Sequence, residues 1–153
     1  MKRALIIIVL LAAYSVLATN ISDTLESLGN YKVFSEALET TGIIDILRGE
    51  GPFTVFVPTD EAFAKLSDNA PGLVANVDVL RDILLYHIVP GHFNSYEIAS
   101  IGILDTLYGE IVKINLFDDL LIHGSRVIPK DIEVSNGIIH IVESVIVPLD
   151  ECL

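Results

Sequence analysis

Apolar residues recur at helical spacing in the first half of the chain. After Asn30 the series Phe34, Ala37, Leu38 and Thr41 marks one stripe, and after Asp78 the series Leu80, Ile83, Leu84 and His87 marks another. Each predicts an amphipathic helix with that stripe on the core. Gly42 and Gly49 punctuate the region, and Pro58-Thr59-Asp60-Glu61 predicts a helix start. There Thr59 serves as N-cap, and Asp60 and Glu61 sit in the first turn, where the positive end of the helix dipole favours carboxylates. In the second half the period falls to two. Val112, Ile114 and Leu116 alternate with Ile111, Lys113 and Asn115, while Ile132 and Val134 alternate with Asp131, Glu133 and Ser135. These runs predict half-buried strands. Asn136-Gly137 predicts a hairpin with a type I′ turn, because both residues tolerate the positive φ that such a turn needs. Phe53 to Val57 is a lone strong strand in the helical half and must join the sheet of the later strands. Helices and strands are segregated rather than alternating, which predicts an α+β fold and not a doubly wound parallel sheet.

The chain begins with a basic end, Lys2 and Arg3, then an apolar run from Ala4 to Val16 closing on small residues at Ala18. This order predicts a secretory signal over residues 1–18 with cleavage after Ala18. The apolar run is shorter than the roughly 20 residues a spanning helix needs. Residues 19–153 then form one domain, large enough for a core of its own, with no membrane span after cleavage and a secreted, extracellular or periplasmic location. Losing Lys2 and Arg3 takes the net charge from −12 to −14. An anionic surface of this strength repels phosphate backbones, so nucleic acid is excluded as a partner. The single cysteine, Cys152, sits in the tail and cannot form an internal disulfide.

The chemistry-bearing residues are scattered. His87, His92, His123 and His140 lack ligand spacing, Ser125 and Ser144 lie outside any nucleophile elbow, and Gly49-Glu-Gly51 is a turn rather than a phosphate loop. Neither a metal nor another cofactor is implied. Asn20-Ile21-Ser22 is an N-glycosylation sequon at the new N-terminus.

Three segments carry a resemblance: Thr54-Val-Phe-Val-Pro-Thr-Asp-Glu-Ala-Phe63, Tyr86-His-Ile-Val-Pro-Gly91, and Asn136-Gly-Ile-Ile-His-Ile-Val142 leading to Val147-Pro148. In this order they resemble the signature segments of the fasciclin (FAS1) domain, over about Asn20 to Pro148. The resemblance implies a β-wedge of two small sheets packed with several helices. It also implies a non-enzymatic module for adhesion or matrix contact, with extracellular or cell-surface proteins, a second copy of the chain included, as partners. Tyr86 and His87 match the family's Tyr-His pair, which points to a structural role linking helix to sheet. Asp131-Ile132 occupies the place of the family's partner-recognition pair, with Glu133 where an apolar residue is expected. Read from the residues alone, the same segment is an ordinary strand with Ile132 packed inward and Asp131 a solvated carboxylate at its edge. The alternative function is an extracellular carrier of a small apolar ligand, suggested by the high aliphatic content together with the ligand-binding relatives that the resemblance implies. An enclosed apolar pocket would favour the carrier, and an exposed apolar patch the contact module.

Overall fold

The computed structural model describes residues 20–116 and 120–148; the predicted leader and Cys152 lie outside them. Helix α1 (Ile21–Ser27) is capped by Asn20, whose Oδ1 accepts the Asp23 N–H at 2.9 Å. Helix α2 (Lys32–Thr41) buries the predicted stripe of Phe34, Ala37, Leu38 and Thr41 and stops at Gly42, where φ is +79°. Short α3 (Ile44–Leu47) leads into strand β1 (Phe53–Pro58). Helix α4 (Asp60–Asn69) starts as predicted, with the Ala62 N–H donating to Thr59 Oγ1 at 3.1 Å. Asp60 does more than favour its own helix dipole: its Oδ1 accepts the Val33 N–H at 2.9 Å, in the first turn of α2, whose N-cap Tyr31 supplies no side-chain bond. Then come α5 (Pro71–Ala75), α6 (Val77–Leu85), strand β2 (Ile88–Pro90) and α7 (Ser95–Ile101). The remainder is β: β3 (Ile103–Asp105), β4 (Ile111–Leu116), β5 (Leu120–Ile122), β6 (Ser125–Val134) and β7 (Gly137–Val142).

The predicted α+β class and the wedge hold, and the two halves of the wedge are joined. The strands follow a single order, β2-β1-β7-β6-β5-β4-β3. The lone strand β1 does join the later ones, running parallel to β7 and antiparallel to β2. The sheet curls until its two edges approach, and the Leu107 N–H crosses the gap to the Ile88 carbonyl at 2.8 Å.

Strands β1 and β7 are covered on both faces, which divides the interior in two. Val55, Val57, Ile139 and Ile141 pack against Ile21, Leu25, Phe34, Leu38, Ile43, Leu47 and Leu84 of the helical layer. Phe56 and Val142 point the other way, into a second cluster with Ile98, Leu104, Val112, Ile114, Ile122 and Val127. Strand alternation alone assigns each residue to its core.

The predicted hairpin between β6 and β7 exists, but its turn is one residue earlier and of another kind. Val134 pairs with Gly137, so Ser135 and Asn136 are the central residues, and positive φ occurs at neither Asn136 nor Gly137. The conformation expected of Asn136-Gly137 is found between β5 and β6 instead. His123 (φ +49°) and Gly124 (φ +83°) join the paired residues Ile122 and Ser125, giving the two positive φ values of a type I′ turn. Gly137 is needed for contact rather than for a turn: a Cβ there would collide with the Phe53 carbonyl of β1.

Candidate functional site

The Tyr86-His87 pair lies just past α6 and reaches into both cores at once. The Tyr86 hydroxyl donates to the Ile111 carbonyl of β4 at 2.8 Å, and burial, with Glu110 adding to it, pushes its pKa up to about 12. His87 is wholly buried on the helical side, its ring centroid 6.2 Å from that of Phe34. Its Nδ1–H donates to the Ile83 carbonyl at 2.7 Å, and its Nε2 accepts the Ile146 N–H at 3.0 Å. The two bonds define a neutral tautomer, and burial pushes the pKa down to about 4 against the opposing effect of the Ile83 carbonyl. Tyr86 therefore ties the helix to the sheet, while His87 ties it to the segment that follows β7.

Asn136 serves as a buried connector. Its Oδ1 accepts the Ile21 N–H at 3.1 Å, and its Nδ2 donates to the carbonyls of Leu47 at 2.6 Å and Gly49 at 2.9 Å. Its own carbonyl accepts the Phe53 N–H at 2.9 Å. One residue joins the start of α1 to the end of α3 through its side-chain amide and holds the start of β1 through its backbone carbonyl. Asn20, the sequon residue, is half-buried and holds the N-terminus of α1, with the Ser22 hydroxyl donating to its Oδ1 at 3.0 Å.

The Asp131-Ile132 segment is shaped by a bulge. Ile128 pairs with Ile141 and Ile132 with Ile139, so residues 129–131 lie opposite the single residue His140. Asp131 adopts φ +42°, a left-handed conformation that Asp tolerates better than most residues. Its side chain is 36% exposed, and it is not the freely solvated edge carboxylate expected. It accepts from the Ser95 hydroxyl at 2.9 Å and from the Ser95 N–H at 3.3 Å, in the first turn of α7. Its Oδ1 also lies 3.2 Å from His140 Nδ1. His140 is wholly buried, stacked on its register partner Phe56 with ring centroids 5.6 Å apart, and its Nε2 donates to the Phe93 carbonyl at 2.7 Å. Burial pushes the His140 pKa down, and the Phe93 carbonyl and the carboxylates of Asp131 and Glu133 oppose that shift. Glu133 in turn accepts from His92 Nε2 at 2.7 Å, which raises the His92 pKa. Ile132 is half-buried against the helical core.

Ser95, Asp131 and His140 have the residue types of a hydrolytic triad but the wrong connections. The Ser95 hydroxyl donates to the carboxylate rather than to an imidazole, and the His140 Nε2–H donates to a backbone carbonyl, which is not the serine-to-imidazole-to-carboxylate order of such a triad. Among the described residues no group of three or more His, Cys, Asp or Glu could hold a metal.

The bulge adjoins an apolar corner that the sequence reading missed. Tyr96 follows Ser95 and is 80% exposed; at the far end of α7, Ile101 is 47% and Ile103 52% exposed. Ile101 and Ile103 line an open groove of about 250 Å³ with Val89, Pro90 and Phe93, between the two edge strands. Asn94-x-x-Glu97 forms a capping box, and that spacing was the available signal for α7.

The sequence matches the family model described as the Fasciclin domain over residues 29–148. The protein sll1735 of Synechocystis sp. is 37% identical over 131 residues, which cover 83% of this chain and 96% of that one. Human periostin is 31% identical over 135 residues, covering 86% of this chain but 16% of periostin. Among solved structures, the FAS1 domain pair from the insect cell adhesion molecule Fasciclin I aligns with a TM-score of 0.76 at 18% identity, covering 88% of this chain and 53% of that one. The curled sheet packed with helices is thus a shared fold, and the chain belongs to the fasciclin family.

Proposed function

We propose that the protein is a non-enzymatic interaction module, exported and used for adhesion-type contact with extracellular or cell-surface proteins. Its contact surface runs from Asp131 and Ile132 across Ser95 to Tyr96 and the Ile101–Ile103 corner. The observation that carries this reading is the juxtaposition of Tyr96, 80% exposed, with the Ser95 that holds Asp131. An exposed aromatic beside a carboxylate is the kind of anchor on which interface energy concentrates. Membership of a family that includes a structure titled as a cell adhesion molecule supports the same reading. An apolar carrier is favoured less, because the groove beside Ile101 and Ile103 is open and small for a ligand that must be largely enclosed.

The test is adhesion of cells and matrix proteins from the native milieu to immobilised wild type, Asp131→Ala and Glu133→Ala, with circular dichroism as folding control. Asp131→Ala is expected to weaken binding by roughly 1 to 2 kcal/mol. Glu133→Ala separates acidic repulsion, whose relief leaves adhesion equal or improved, from a charge contact, whose loss weakens it. Equal adhesion of Asp131→Ala and wild type would remove this segment from the contact surface.

A further inference from the structure

We infer that one proton held between His140 and Asp131 decides whether the Asp131 carboxylate stays clasped to Ser95 or is released to the surface. The bulge is therefore latched in acid and loosened at neutral pH. This inference rests on the contact reading only for what the latch would regulate.

The bonding pattern dictates the coupling. The Phe93 carbonyl can only accept, so His140 Nε2 carries the hydrogen in their 2.7 Å contact. In the neutral ring Nδ1 then bears a lone pair, and that atom is buried without a hydrogen-bond partner. It faces Asp131 Oδ1 at 3.2 Å. Two acceptors at that distance repel; a single added proton turns the same contact into an ion pair. Between the two, only Asp131 has somewhere to go. His140 is wholly buried on Phe56, whereas Asp131 is one-third exposed, on a bulge with φ +42°. In the latched form Asp131 also holds the Ser95 N–H and hydroxyl, so the clasp joins β6, β7 and the start of α7.

The other charged groups acting on His140 are Glu133 on β6, which favours its protonation, and His92 before α7, which opposes it. Burial sets the transition below the ordinary imidazole range. By linkage, the carboxylate that gains from the proton must raise the proton affinity of His140 by the same factor.

The experiment follows ring-nitrogen signals of His140 and amide exchange at Ser95 in the free, isotope-labelled full chain from about pH 8 to about pH 4.5. On acidification Nδ1 should change from a bare to a protonated nitrogen. Ser95 exchange, corrected for its intrinsic pH dependence, should slow by at least about threefold in step with it. Asp131→Asn should lower the proton affinity of His140 by at least about threefold. His92→Gln should leave the Ser95 response in place, because the latch proton is not on His92. Ser95 protection that ignores the His140 titration overturns the inference even if Asp131→Asn fails to fold. So does an unchanged or raised proton affinity of His140 in Asp131→Asn. Since no partner is present, failure of the adhesion reading would not affect this result, and adhesion measured at a single pH does not depend on the latch inference being right.

Discussion

Replacing His87 by Ala removes a ring with no solvent exposure and two hydrogen bonds. The Ile83 carbonyl keeps a second donor, the Tyr86 N–H at 3.1 Å, so the polar cost falls on the Ile146 N–H. Leaving that buried donor unpaired costs about 1 to 3 kcal/mol. The cavity adds more: roughly 60 Å³ of ring at about 24 cal/mol per Å³ is about 1.5 kcal/mol. The expected total is about 3 kcal/mol, a fall in Tm of roughly 10 °C for a domain of this size. A pH signature separates this role from simple packing. Unfolded His87 takes a proton below its ordinary 6.5, but the folded ring resists until about pH 4. Between those values the unfolded chain binds more protons, so stability rises with pH. The contribution is complete above pH 6.5 and is lost as pH falls toward 4, amounting to about 3 kcal/mol at roughly 1.4 kcal/mol per unit. Urea unfolding at several pH values, on wild type and His87→Ala, measures both effects. An unchanged Tm would refute the reasoning, as would an acid slope as steep in the variant as in wild type.

Other substitutions probe the same architecture. Asn136→Ala should cost about 3 kcal/mol by breaking three side-chain hydrogen bonds at the junction of α1, α3 and the hairpin, read by chemical denaturation. Gly137→Ala should cost about 3 kcal/mol or more, since its methyl group meets the Phe53 carbonyl rather than a yielding side chain; a Tm within a degree or so of wild type would contradict the packing described. Tyr86→Phe should cost about 1 kcal/mol through the Ile111 carbonyl while leaving the fold intact, with near-ultraviolet circular dichroism as the check.

Much of the fold was legible because local period and burial agree. The stripe from Phe34 to Thr41 and the cap at Thr59 needed only local patterning, and the structure keeps both. Asn136-Gly137 misled for a physical reason. Its two residues are the commonest choice for positive φ, but here they answer long-range demands: a buried amide joining three elements, and a strand too close to β1 for any Cβ. Nothing within a few residues of Asn136 reveals partners more than 80 positions away. The bulge at Asp131 did leave a trace. Pro129 stands inside β6, beyond its last pair with β5 at Arg126 and opposite β7, and proline within a strand belongs at an edge or a bulge. The clasp of Asp131 on Ser95 had no such trace, because the two residues are 36 positions apart and meet only once α7 folds over the sheet.

The central claim is that this domain acts by contact through the surface beside the bulge, and Tyr96→Ala tests it most directly. The side chain is 80% exposed and bears no role in the cores described, so folding should be unaffected. Adhesion to the immobilised variant should fall by roughly 5- to 30-fold, the equivalent of 1 to 2 kcal/mol at a contact anchor. Adhesion equal to wild type, with circular dichroism unchanged, would contradict the account.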